Sequence, residues 1–273
     1  VLVETGPGST LPTLLAGLEG LNYAPTDIQA LLVTHIHFDH AGAAGWWGQE
    51  RVPVYVHPNG ARHLIDPSRL YASAARIYGE QMEFLWGAML PAPADLVHSV
   101  EDGAQIDVAG LNFRVIDTPG HAFHHHAYRV GDVLFTGDAA GVRLPGGKAI
   151  SVPAPPPEFT LEVWLQTVDK LLAEEVDQIY PTHFGGHSDG QWQLRTLRAL
   201  LVEHAEFIRQ GLERETPRET LIDQYTEWLK AAALANGLSE AEWARQNAAN
   251  PLFMSVDGIT RYWRKKAEAD AAN

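Results

Sequence analysis

From Val1 to about His187, short runs of β-branched and aliphatic residues alternate with turn residues and with longer stretches whose apolar positions recur at helical spacing. This is the pattern of a mixed α/β domain. Val1-Leu2-Val3 runs into a glycine turn, and Leu31-Leu32-Val33 runs into a histidine-rich segment. Val54-Tyr55-Val56 ends at His57-Pro58, Phe113 to Asp117 ends at Thr118-Pro119-Gly120-His121, Val133 to Thr136 ends at Gly137-Asp138, and Gln178-Ile179-Tyr180 ends at Pro181-Thr182-His183. Each of these runs predicts a strand closed by a turn. Histidine or aspartate therefore recurs where strand ends deliver polar groups to one edge of a sheet.

Helical spacing dominates elsewhere. Residues 58 to 90 form a helical insertion rich in aromatic side chains, among them Tyr71, Tyr78, Phe84 and Trp86. Pro153 to Pro157 reads as a stiff extended linker ahead of a helix over 160 to 173. Beyond Asp189 the pattern is almost purely helical, with helices predicted over 191 to 210, 218 to 236, 239 to 247 and 256 to 268. Ser239 followed by Glu242 predicts a capping box at the third of these. The expected organisation is a catalytic domain over 1–188 and a helical C-terminal extension over 189–273. Because the text opens on Val1, in mid-strand, further N-terminal strands are expected upstream.

Composition narrows the function. Twenty Lys and Arg against 34 Asp and Glu leave a net charge of -14, which repels nucleic-acid backbones, so no nucleic-acid partner is expected. No apolar stretch is long enough to span a bilayer, and no membrane association is expected. The chain has no cysteine, which excludes disulfides and thiolate ligands and suits a cytoplasmic protein.

The thirteen histidines carry the chemistry. In Thr34-His35-Ile36-His37-Phe38-Asp39-His40 the first two imidazoles can turn to one point while Asp39 and His40 diverge to a second, a pattern that suits two cations better than one. For His57, His63, His98, His187 and His204, ordinary structural roles are expected.

Together with Asp117-Thr118-Pro119-Gly120-His121, Thr136-Gly137-Asp138 and Pro181-Thr182-His183-Phe184-Gly185, this segment resembles the ordered motifs of the metallo-β-lactamase-fold superfamily, on its glyoxalase II-like and lactonase-like side. The resemblance implies a four-layer αββα sandwich. It also implies that His35, His37 and His121 bind one metal, that Asp39, His40 and His183 bind another, and that Asp138 bridges them. Asp39 and Asp138 are then the catalytic carboxylates, and two divalent cations, Zn²⁺ before Fe or Mn, are the cofactors. A hydroxide held between the cations attacks the substrate. His125 is expected to support a ligand from behind, with His124 and His126 less direct.

The expected substrate is a small molecule with an ester-like bond, a lactone or a thioester. Tyr71 and Trp86 are candidates to line its pocket, and Arg143 and Lys148 to grip an anionic group. Glyoxalase II carries Gly-Cys-Gly-Arg after its bridging aspartate, whereas this chain reads Ala139-Ala140-Gly141-Val142, which argues against glutathione specificity. The competing readings are a phosphodiesterase, β-lactamase-like amide hydrolysis, and a non-catalytic metal-binding scaffold. A homodimer is expected from the amphipathic tail with Trp228, Trp243 and Trp263.

Overall fold

The computed structural model describes residues 1–272, and the chain packs as two compact units. The first comprises residues 1–117 and 124–131, and the second residues 118–123 and 132–272 among those described.

In the first unit, β1 (Leu2–Val3), α1 (Leu11–Gly20), β2 (Leu31–Leu32), α2 (Phe38–Ala41), α3 (Ala44–Gln49), β3 (Val54–Val56), α4 (Pro58–Ile65), α5 (Ser68–Tyr78), α6 (Met82–Leu85) and β4 (Val97–Ser99) follow in order. The four strands form a parallel sheet in sequential order, with Leu2 opposite Leu31, Leu31 opposite Val54, and Val54 opposite Val97. Parallel strands need helical crossovers, and covering helices bury both sheet faces. The residues obey: Leu31, Leu32, Val54 and Val56 are fully buried, as is Trp47 on α3.

β5 (Gln105–Val108), β6 (Leu111–Asp117) and β7 (His126–Val130) make an antiparallel set in the same unit. Buried Tyr128 ties that set to the parallel sheet by donating its hydroxyl hydrogen to Val33 O at 2.8 Å. Asp117 pairs with His126 across β6 and β7.

The second unit contains β8 (Val133–Phe135), β9 (Val142–Arg143), β10 (Ile150–Ser151), α7 (Leu161–Leu172), β11 (Gln178–Tyr180), α8 (Gly190–Glu213), α9 (Arg218–Ala235), α10 (Glu240–Ala249) and α11 (Leu252–Ala272). β11 runs parallel to β8, and β9 pairs antiparallel with β10. The core of this unit gathers Trp164 and Leu171 of α7, Leu194, Leu197, Leu201 and Ile208 of α8, and Ile259 of α11. The change of character at residue 189 is therefore one of secondary structure, since α7 and the later helices share one core.

Six predicted strands and the helical insertion lie where the hydrophobic pattern places them. β4, β5, β7, β9 and β10 went unpredicted. β7 is masked by the histidine run that leads into it, and β9 and β10 span only two residues each.

Pro153 to Pro157 corrects the reading of a linker, because Val152, Pro153 and Ala154 are buried. Ser255 of α11 grips this strap, accepting from Ala154 N at 3.2 Å and donating to Val152 O at 3.0 Å. Gly258 lets α11 approach so closely that a β-carbon there would stand 2.0 Å from Ala154 O.

The predicted capping box is present: Ser239 Oγ accepts from Glu242 N, and the Glu242 carboxylate accepts from Ser239 N at 2.8 Å. Ser239→Ala should therefore destabilise α10 by about 1 kcal/mol, read as faster amide hydrogen exchange at Glu242 and Trp243. Unchanged exchange would mean that packing of Trp243, and not the cap, holds this helix end.

Candidate metal centre

β2 ends at the histidine motif, and the segment that follows is pinned from several sides. Glu4, just past the end of β1, is buried and accepts from Thr34 N at 2.6 Å through one carboxylate oxygen. Its other oxygen stands 2.9 Å from His40 Nδ1. A carboxylate in that position holds the hydrogen on Nδ1 and leaves Nε2 as the donor atom of His40. Thr5 N and Thr5 Oγ1 both donate to His40 O, at 2.9 and 3.0 Å. Gly42 permits this close packing, since a β-carbon there would stand 2.4 Å from Phe38 O and 2.8 Å from the Pro7 Cα.

Within this segment His35 Nδ1 lies 3.0 Å from Thr34 Oγ1, and His35 Nε2 lies 3.0 Å from His37 Nδ1. His40 Nε2 is 3.5 Å from Asp39 Oδ2. Ligand atoms around one tetrahedral cation, with bonds of about 2.0–2.1 Å, stand roughly 3.3 Å apart. The two pairs match that spacing, which suits a cation.

Two further imidazoles back the segment. The His125 ring is fully buried with its centre 4.8 Å from that of His35, and His124 Nδ1 accepts from Ile36 N at 3.4 Å.

In the second unit, His121, Asp138 and His183 come together. Asp138 Oδ2 is 3.5 Å from His121 Nε2, and Asp138 Oδ1 is 3.5 Å from His183 Nε2. The two oxygens of one buried carboxylate thus face two different imidazoles, the arrangement a bridging ligand requires.

His121 Nδ1 donates to Pro153 O at 2.7 Å, which fixes its hydrogen and presents Nε2. Pro153 belongs to the strap gripped by Ser255, so α11 sets the orientation of this imidazole at one remove. The turn before His121 is shaped by α7: Gly120 has φ +129, and a β-carbon there would stand 2.4 Å from the Trp164 Cα. Trp164 Nε1 in turn donates to Ala139 O at 3.0 Å, next to Asp138.

Burial pushes the carboxyl of Glu158 above its ordinary range, although Phe123 N donates to it and His121 lies near. Sequence patterning had not singled out Glu4, Glu158 or Ser255.

The remaining expected residues fall into several groups. Tyr71 and Trp86 pack against Phe38, the residue between His37 and Asp39, with ring centres 6.1 and 5.9 Å from it. Tyr78 meets Trp86 at 5.2 Å, and burial together with the nearby Asp39 carboxylate raises its phenol above the ordinary value.

Arg143, expected at a substrate anion, commits its guanidinium to Asp189 through two bonds of 2.8 and 3.1 Å, and Lys148 reaches the same carboxylate at 2.8 Å. Both cations also lie over the Trp192 ring. The Arg143 and Lys148 hydrogen bonds hold the Asp189 carboxyl down at about 2.

His57, Asp117 and His126 form another group with mutually close donor atoms. His57 Nδ1, however, accepts from Asn59 N at 3.0 Å as the cap of α4. Its hydrogen must then sit on Nε2, facing Asp117 Oδ1 at 3.3 Å, so this ring serves as a hydrogen-bond donor and not as a cation ligand.

His204 is fully buried against Tyr225 Oη at 2.6 Å, and burial lowers its pKa to about 3.

Strand ends that present imidazole and carboxylate donors at cation spacing define a metal-binding α/β protein. A family model for the metallo-beta-lactamase superfamily matches residues 1–183, and the chain belongs to that superfamily. It is 28% identical over 176 residues to the metallo-beta-lactamase fold-containing protein ST1585 of Sulfurisphaera tokodaii, covering 63% of each chain. It is 29% identical over 258 residues to a hydroxyacylglutathione hydrolase of Pseudomonas entomophila, covering 87% of this chain and 80% of that one. The crystal structure of the metallo-beta-lactamase family protein TTHA1429 from Thermus thermophilus shares the fold over 97% of this chain and 84% of its own, with a TM-score of 0.71 at 22% identity. The chain spans 63% of the length of the archaeal relative and 64% of an uncharacterised Mycobacterium tuberculosis relative.

Two outcomes test this geometry. Glu4→Gln removes the charge that orients His40 and should weaken metal retention about tenfold or more, measured by competition with a chromogenic chelator. Retention equal to wild type would make Glu4 a purely structural tether. Asp189→Asn strips the buried Arg143 of its counter-charge and should cost about 2 kcal/mol or more in urea unfolding, the partial exposure of Asp189 keeping the loss below that of a fully buried pair. Lys148→Met, on the solvent side of the same carboxylate, should cost less than about 1 kcal/mol.

Proposed function

We propose that this protein is a binuclear metal-dependent hydrolase of small ester-like substrates, with a thioester or lactone as the bond cleaved. Its seven donors are His35, His37, Asp39, His40, His121, Asp138 and His183. The observation that carries the reading is Asp138, whose two oxygens face His121 and His183 separately. Hydroxyacylglutathione hydrolases among the relatives favour a thioester.

Bound divalent cations, Zn²⁺ by the chemistry of an all-imidazole and carboxylate set, supply Lewis acidity and a water deprotonated near neutral pH. The chain's own side chains do the rest. Glu4 and Pro153 O fix the tautomers of His40 and His121, so that each presents Nε2. Asp39 and Asp138 provide the negative charge that balances the cations. Tyr71 and Trp86, packed on Phe38, form an apolar wall that orients the acyl part of the substrate. Arg143 and Lys148 share Asp189 and thereby order the loop that follows Asp138. This differs from a grip on the carboxylates of glutathione, and a simpler acyl thioester or a lactone fits the residues better.

The test joins metal content to activity on the same samples. Wild-type protein should contain about two divalent cations per chain by plasma mass spectrometry and should turn over members of an acyl-thioester and lactone panel. Asp138→Ala and His183→Ala should lower both metal content and kcat/KM, the latter by about 10²-fold or more. A metal-replete protein inactive on the whole panel, or one that hydrolyses bis-(p-nitrophenyl) phosphate far faster than any ester, would overturn the substrate class. Metal content unaffected by either substitution would overturn the centre itself.

A further inference from the structure

In the second unit, the turn between α8 and α9 and one face of α11 enclose a cleft of about 350 Å³. Arg218, Arg261, Arg264 and Lys265 line it, against the carboxylates of Asp257 and Glu268.

The charges are not evenly matched. Asp257 is taken up by Arg218, whose Nε and Nη2 both bond it at 2.7 Å, and Arg218 also pairs with Glu219. Arg261, Arg264 and Lys265 stand at i, i+3 and i+4 on α11, so they share one face and repel one another. Among the described residues none of these three makes an ion pair. The neighbouring Lys266 behaves differently, for it turns away to Glu162 and Tyr262. Three unpaired cations held on one face of a cleft, in an otherwise acidic protein, produce a local positive potential that attracts an anion.

The floor supplies the rest of the specificity. Leu221 and Val256 are buried and border the cleft, as does Thr260. Two guanidinium forks match the oxygens of a phosphate better than they match a diffuse anion, and an apolar floor takes an organic body. The volume is at the lower end of that of small-molecule sites.

We propose that this cleft binds a small organic phosphate of roughly mononucleotide size, its phosphate on Arg261, Arg264 and Lys265 and its body on Leu221 and Val256. The inference does not depend on the hydrolytic reading.

Isothermal titration calorimetry on the metal-replete full chain tests it, with adenosine 5′-monophosphate, adenosine, inorganic phosphate and a ten-residue oligothymidylate as probes. The monophosphate should bind, adenosine and inorganic phosphate should each bind about tenfold more weakly or worse, and added salt should weaken the monophosphate. The exposed double variant Arg261→Gln/Arg264→Gln should lose about tenfold or more in that affinity while its melting temperature and metal content stay at wild-type values. No heat from the monophosphate at millimolar concentration would overturn the proposal. So would monophosphate binding that the double variant leaves untouched, since the ligand would then sit elsewhere, at the histidine and aspartate donors. Oligothymidylate binding more tightly than the monophosphate, and lost in the double variant, would replace a small-molecule site with a track for a polyanion.

Discussion

Imidazoles and carboxylates removed from water set the terms for this structure. Glu4, His35, His40, His121 and Asp138 are all buried, and an ionised carboxylate without partners in such surroundings costs several kcal/mol. Glu4 is accordingly held by Thr34 N and His40, and His121 by Pro153 O, while the two oxygens of Asp138 face one imidazole each at 3.5 Å. The backbone exists in large part to deliver those partners. Short parallel strands end where the donors begin, and close approaches at Gly42 and Gly120 let the surrounding chain reach them.

The same physics explains why the cations of this chain divide into two kinds. Arg143 is buried and has been given a carboxylate of its own, so it stabilises the fold around the segment after Asp138. Arg261, Arg264 and Lys265 are exposed and border a cleft without an ion-pair partner among the described residues. Residue type alone does not distinguish a structural arginine from one available to a ligand; burial and the presence of an opposing charge do.

Much of the candidate donor set was legible because its signal is local. His35, His37, Asp39 and His40 lie within six residues, and the strand ends carrying His121, Asp138 and His183 are marked by Pro and Gly turns. The cap at Ser239 and Glu242 was readable for the same reason. What supports the donors was not readable. Glu4 meets His40 across the packing of β1 beside β2, and Arg143 finds Asp189 at a separation of 46 residues. A proline-rich stretch reads as a stiff extended linker until Ser255, far along the chain, is seen to grip it. Such partners are chosen by tertiary packing, and no periodicity or spacing in the text announces them.

The strap from Val152 to Ala154 bears on how this chain can change over time. The superfamily's own pattern stops at residue 183, yet the carbonyl that orients His121 is clamped by Ser255 and Gly258 on the last helix. Two positions in α11, Ser255 and Gly258, are thus tied through this strap to an imidazole more than a hundred residues earlier in sequence. A recombinant joined after residue 183 would keep the His121 imidazole and lose the Ser255 and Gly258 contacts that hold the carbonyl orienting it.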